Sequence, residues 1–181
     1  MQAVERNLRF HFTHLSYQHK QMTFGHRPIY LVVSHQEYLD LTSGRKAFYQ
    51  QDWQRVPEKM SFINKDAKLG VSFECPIRED IKPSDHILLA YTFPFNMNDV
   101  EYSLKQVEEK CNSNDDIHFE RSKLTESLEG RNVDLITLST KQAFAHKKPT
   151  IFMTCRVHCG ETPAQYMLQG VLDTLTDFDD L

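Results

Sequence analysis

A chain of 181 residues, 40% hydrophobic and 25% charged, has the composition of a globular protein with one large domain or two small ones. Its formal charge of −4, with no basic block beyond two or three residues, excludes a general nucleic-acid binder. No stretch approaches the ~18 apolar residues of a membrane span, and the opening MQAVERNLRFHF lacks the apolar centre of a secretion signal. Four cysteines (Cys75, Cys111, Cys155 and Cys159) show neither zinc-ribbon pairing nor a dense disulfide framework. That usage points to a reducing, cytoplasmic compartment with free thiols.

The first half reads as β structure. LRFHFTHL (8–15) alternates apolar and polar residues, as a half-buried strand does. PIYLVVS (28–34), LGVSFEC (69–75) and HILLAYTF (86–93) are rich in β-branched and aromatic residues, and turn-prone stretches such as LTSGRK and NKDAK separate them. Strands with no convincing helix between them predict a small antiparallel β-sandwich over 1–95. Trp53, the one tryptophan, reads as an anchor for its core or edge.

The pattern changes near Asn96. In NDVEYSLKQVEEKC, Val100, Leu104, Val107 and Cys111 recur at helical spacing, with Asn98 or Asp99 as N-cap. IHFERS (117–122) predicts a short strand, Gly130 a turn, and Val133 to Thr140 a second strand. TIFMTCRVH (150–158) predicts a third. The last segment, TPAQYMLQGVLDTLTDF, predicts a helix with Thr162 as N-cap, Pro163 in the first turn and Gln165 completing a capping box. Ala164, Leu168, Val171, Leu172 and Leu175 share its apolar face. Residues 96–181 therefore suit the beginning of an α/β sheet. TIFMT is apolar on both faces, like a central strand covered from each side. Two helices are too little cover for it, so the chain is expected to stop partway through this second domain.

The chemistry concentrates in TCRVHCGET (154–162). Zinc hydrolases hold the metal with three side chains and leave a fourth position open. His158 would leave the C-terminal end of a strand, where open α/β sheets place their ligands. Glu161 would lie just before the following helix, and the tight Cys159–Gly160 step would let both heads meet on one ion. The spacing alone is weak: with nine histidines in the chain, about 0.6 such His/Glu pairs arise by chance. The other histidines (His11, His14, His19, His26, His35, His86, His118 and His146) read as solvated or core-satisfied. Cys155 is expected to face away from His158, and Cys159 to be an inert small residue in the turn.

RVHCGETPAQYMLQGVLDTL (156–175) resembles the first zinc-ligand motif of the cytosolic carboxypeptidases, which reads Arg-Val-His-Pro-Gly-Glu-Thr before a helix. FGHRPIYLV (24–32) is similar to the family's Gly-Met-Arg-Pro stretch, and DWQRV (52–56) to its Trp-x-Arg element. AYTFPFNMNDVEYSL (90–104) resembles the linker into the catalytic domain, and SLEGRNVDLITLST (127–140) the first strand of that domain. These five motifs occur in family order over roughly residues 6 to 178. FPF, EGRNVDLITLS and GETP lean toward the branch called cytosolic carboxypeptidase-like protein five.

The resemblance implies an N-terminal β-sandwich domain (1–95) followed by the incomplete start of an α/β zinc carboxypeptidase domain (96–181). It assigns His158 and Glu161 to the first two zinc ligands. It implies a cytoplasmic, microtubule-associated hydrolase that removes glutamate from polyglutamylated proteins such as tubulin, with zinc as cofactor. The family's third ligand, its catalytic base and its carboxylate-binding residues match no position here, so the chain alone is expected to be inactive. Cys159 departs from the family's proline and removes rigidity from the ligand turn. A different class of function, a non-catalytic module binding tubulin or another partner, is the alternative. Neither nucleic acid nor membrane is expected as a partner.

Overall fold

The computed structural model describes residues 6–15, 19–57, 60–65, 68–77, 80–144 and 149–177, in two compact units, Met1–Asn98 and Asp99–Leu181. Of the first unit, the chain order is β1 (Arg6–Leu15), α1 (His19–Thr23), β2 (Ile29–Val33), α2 (His35–Thr42), a single 3-10 turn (Phe48–Gln50), β3 (Gln54–Arg55), β4 (Met60–Lys65), β5 (Lys68–Ile77) and β6 (His86–Ala90). They form two three-stranded antiparallel sheets, in the orders β1-β5-β4 and β3-β2-β6.

Strand alternation decides what each face meets. Phe10 and Phe12 of β1 and Val71 and Phe73 of β5 pack in one cluster with Tyr30 of β2 and Leu89 of β6, closed by Met22 and Val56. Phe73 lies opposite Phe10 in the ladder and stacks on it with ring centroids 5.6 Å apart. The other face of β2, carrying Ile29, Leu31 and Val33, packs with Leu41, Trp53, Leu88 and Ala90. Trp53 is buried, and its indole N–H donates to the Phe48 carbonyl at 2.9 Å, so it is a core anchor as expected.

The sandwich expectation holds only in part, because the unit is mixed α/β. Helix α2 stands where no helix was expected, and its Leu41 covers the second sheet. Its cause lies in the sequence. Ser34 accepts from the backbone N–H of Glu37 while the Glu37 carboxylate accepts from the Ser34 backbone N–H, a complete capping box.

The second unit contains most of α3 (Met97–Asn112), then β7 (Ile117–Glu126), β8 (Asn132–Thr140), α4 (Lys141–Phe144) and α5 (Thr162–Leu175). Strands β7 and β8 are an antiparallel hairpin, with Phe119 opposite Leu138, turning at Gly130 (φ 72°). The register shifts between Lys123 and Thr125. Leu104, Val107 and Cys111 of α3 meet Leu168 and Leu172 of α5 and Ile117, Phe119, Ile136 and Leu138 of the hairpin in a single cluster. The helical spacing of the α3 residues is what brings them to one stripe. A polar tie joins the helices, as Ser103 Oγ donates to Gln169 Oε1 inside the unit. Arg121 of β7 bonds both Glu101 of α3 and Asp134 of β8.

Two expectations here need correction. Residues 150–158 form no strand: among the described residues no ladder includes them, and Ile151, Phe152 and Val157 are 83%, 70% and 77% exposed. A strand exists only against a neighbour, and the hairpin pairs with itself. Nor does Thr162 cap α5. Glu161 is the N-cap residue and makes no side-chain cap bond, because its carboxylate is turned back toward His158. Thr162 lies inside the helix, its buried hydroxyl without a hydrogen bond, and Gln165 accepts from Cys155 Sγ instead. Of the apolar face expected on α5, Leu172 is buried, whereas Val171 and Leu175 are 36% and 50% exposed.

Candidate metal centre

Immediately before α5 the chain makes one compact bend. Arg156 has φ 62°, the sole non-glycine in the left-handed region among the described residues. This conformation disfavours side chains bearing a Cβ. The chain turns at Cys159–Gly160, as expected, without Gly160 using the left-handed region. The Arg156 guanidinium reaches forward, and its Nε and Nη2 donate to the Cys159 carbonyl at 3.1 and 2.8 Å. The Glu161 N–H donates to the His158 carbonyl at 3.0 Å, closing the turn, and Ala164 N–H to the Glu161 carbonyl at 3.2 Å begins α5.

This bend brings the heads of His158 and Glu161 together. His158 Nδ1 and Glu161 Oε1 are 2.8 Å apart, and the His158 backbone N–H approaches Glu161 Oε2 at 3.4 Å. The Glu161 carboxyl is held below the usual glutamate range, chiefly by the His158 side-chain hydrogen bond and then by the backbone one. Both side chains are open to solvent, 76% and 53% exposed. Cys159 is also exposed, whereas burial pushes the Cys155 thiol up.

An imidazole nitrogen and a carboxylate oxygen are both common zinc donors, and two donors on one tetrahedral zinc stand roughly 3.3 Å apart. The 2.8 Å pair opens to that spacing with a small rotation of either side chain, so the donor set fits zinc. It supplies two ligands. Among the described residues there is no group of three or more His, Cys, Asp or Glu side chains able to hold a metal.

The remaining histidines lie elsewhere. His11 Nδ1 is 2.6 Å from Ser72 Oγ, His26 Nε2 is 2.7 Å from the Tyr91 carbonyl, and His35 Nδ1 is 2.8 Å from His86 Nε2. His118 Nε2 is 3.8 Å from Glu120 Oε2. The side chains of His14, His19 and His146 fall outside the described residues. Sequence reasoning missed Arg156, since nothing in RVHCGE marks the arginine as the left-handed residue.

The class this arrangement brings to mind is the one the comparisons return: the family of zinc carboxypeptidases matches residues 104–180, a span containing the whole bend and α5 up to Leu175. Individual relatives narrow it. The chain is 27% identical to cytosolic carboxypeptidase 6 of Caenorhabditis elegans over 136 residues, covering 75% of this chain and 29% of that protein. It is 31% identical to cytosolic carboxypeptidase 6 of Mus musculus over 138 residues, 72% of this chain and 24% of that one. To cytosolic carboxypeptidase-like protein 5 of Mus musculus it is 27% identical over 158 residues, 71% of this chain and 18% of that protein. The resemblance to the cytosolic carboxypeptidases is thus shown at modest identity over most of the chain. The chain spans between 18% and 29% of the length of these relatives. Among the described residues, no helix is long and apolar enough to cross a membrane.

Proposed function

We propose that this chain is the N-terminal portion of a zinc-dependent carboxypeptidase of the deglutamylase type, with His158 and Glu161 as two of its zinc ligands. The carrying observation is the convergence of those two heads on one bend, 2.8 Å apart, within the span matching the zinc carboxypeptidases. Zinc, when bound, would supply Lewis-acid polarisation of a peptide carbonyl and an activated water. The chain's own part is to hold an imidazole nitrogen and a carboxylate oxygen at one point. Turn and helix α5 fix the backbone of both, and solvent exposure leaves the site open to a protein tail. The substrates on this reading are glutamate-rich tails, glutamylated tubulin among them, met in the cytoplasm at the microtubule. The branch for which the sequence leans, like-protein-five, belongs to the same proposal. So does the inactivity of this chain by itself, two ligands being fewer than the three a catalytic zinc takes from protein.

The test has two arms. Zinc bound after equilibrium dialysis is compared for the parent, His158→Ala and Glu161→Ala. Binding that falls in both variants supports the ligand assignment, and equal zinc in all three refutes it. Glutamate release from a glutamylated tubulin peptide is then measured for this chain and for one extended to the length of its relatives. Release by neither refutes the deglutamylase reading.

One observation favours a second reading, a non-catalytic module for tubulin or another protein partner. The first unit carries an open apolar cavity of about 360 Å³ along β6, between Trp53, Phe48, Leu88 and Pro94, within the size range of a ligand pocket. Tubulin pull-down that survives His158→Ala but is lost in Leu88→Asp would support it.

A further inference from the structure

We infer that Arg156 is the positioning residue of the metal bend: its guanidinium, closing on the Cys159 carbonyl, holds His158 and Glu161 in register for one cation. The inference rests on the metal reading proposed above. Three observations carry it. Arg156 alone among the described non-glycine residues adopts the left-handed region, at φ 62°. A strained conformation persists where surrounding contacts over-determine it, and such residues cluster at ligand clamps. The contact that does so here is the planar fork, with Nε and Nη2 donating to one oxygen at 3.1 and 2.8 Å. That oxygen belongs to Cys159, the residue immediately after His158 and two before Glu161.

The geometry explains what each part of Arg156 does. Its backbone leads into the turn ahead of His158 in the left-handed region, and its side chain ties the far half of the bend back to the near half. Between the two tie points lie Val157 and His158, and beyond them the Glu161 N–H returns to the His158 carbonyl at 3.0 Å. Without the fork, the turn is held by that 3.0 Å bond and by the contacts of the Glu161 carboxylate with His158 at 2.8 and 3.4 Å. Both donor heads are exposed, so little packing holds them in place. A lysine would offer one ammonium point in place of two parallel N–H vectors and would hold the carbonyl less firmly.

The test separates backbone from side chain. Glycine adopts a φ near 62° without strain, so Arg156→Gly keeps the bend accessible while removing the fork. The probe is Co2+, titrated into the intact chain and followed by its visible absorption, with far-UV circular dichroism to confirm the fold. Arg156→Gly is expected to lower Co2+ affinity by roughly tenfold or more, the loss usual when a group orienting a metal ligand is removed. Arg156→Lys should recover part of that loss. Hydrogen exchange at the Glu161 amide, read without metal, should quicken in Arg156→Gly and less so in Arg156→Lys. Parent-like affinity and exchange in Arg156→Gly would overturn the assignment while His158→Ala still abolishes binding. Co2+ affinity unchanged in His158→Ala would instead overturn the metal reading itself.

Discussion

Single side chains in this protein differ widely in what depends on them. Phe73 is 1% exposed and meets the rings of Phe10 and Phe12 at 5.6 and 5.2 Å. Phe73→Ala empties the centre of that cluster and is expected to destabilise the first unit by about 3–5 kcal/mol in urea unfolding. Arg121 is held mostly buried by Glu101 and Asp134, the latter at 2.6 Å. Arg121→Ala leaves the Asp134 carboxylate without that donor, for an expected loss of about 2 kcal/mol in the second unit. Surface residues weigh less. The Glu37 carboxyl is drawn below the usual range by the Ser34 backbone bond first and the Ser34 hydroxyl second. A lowered pKa stabilises the fold above the ordinary glutamate range, and the benefit goes as pH falls through the folded value. Ser34→Ala is expected to cost about 1 kcal/mol at neutral pH, in line with other N-cap losses. Thermal melts of parent and variant should draw closer as the medium becomes acidic enough to protonate Glu37, the remaining gap being the bond from the Glu37 N–H to the Ser34 hydroxyl.

At the scale of elements, the segment 150–157 matters most. Ile151, Phe152 and Met153 stand exposed beside one another in the sequence, on unladdered backbone that continues to the exposed Val157. Exposed β-prone apolar runs without charge invite pairing between chains. Replacing Ile151 and Phe152 by lysine is expected to lower self-association in light scattering while leaving the melting of the second unit nearly unchanged, since neither residue belongs to its core. This segment also shows where reading the sequence succeeds. The strands 8–15, 28–34, 69–75 and 133–140 and helices α3 and α5 were legible because their apolar residues recur at two or 3.6 positions. TIFMT carries the same propensity, but a strand needs a neighbour, which periodicity within one segment does not reveal. Helix α2 was legible and missed: Ser34 and Glu37 spell a capping box that hydrophobic alternation around it overshadowed. The pairing of His158 with Glu161 could be read as a spacing, whereas the left-handed Arg156 that shapes the bend had no counterpart in the pattern of residue types.

For the molecule as a whole, charge and apolar exposure act together. The net charge of −4 and an isoelectric point near 6.1 place the chain close to neutrality in mildly acidic solution. Repulsion between copies is weakest there. With Ile151 and Phe152 uncovered, turbidity is expected to peak close to pH 6 and to fall on either side. The double lysine variant should flatten that peak and shift it upward, because it adds positive charge as it removes apolar surface.

Since the Arg156 fork grips a main-chain oxygen, that latch asks nothing of the side chain at position 159. A cysteine there, or the proline of the kindred motif, presents an identical acceptor. The identity of that neighbour to His158 can drift while the hinge it sits on stays latched.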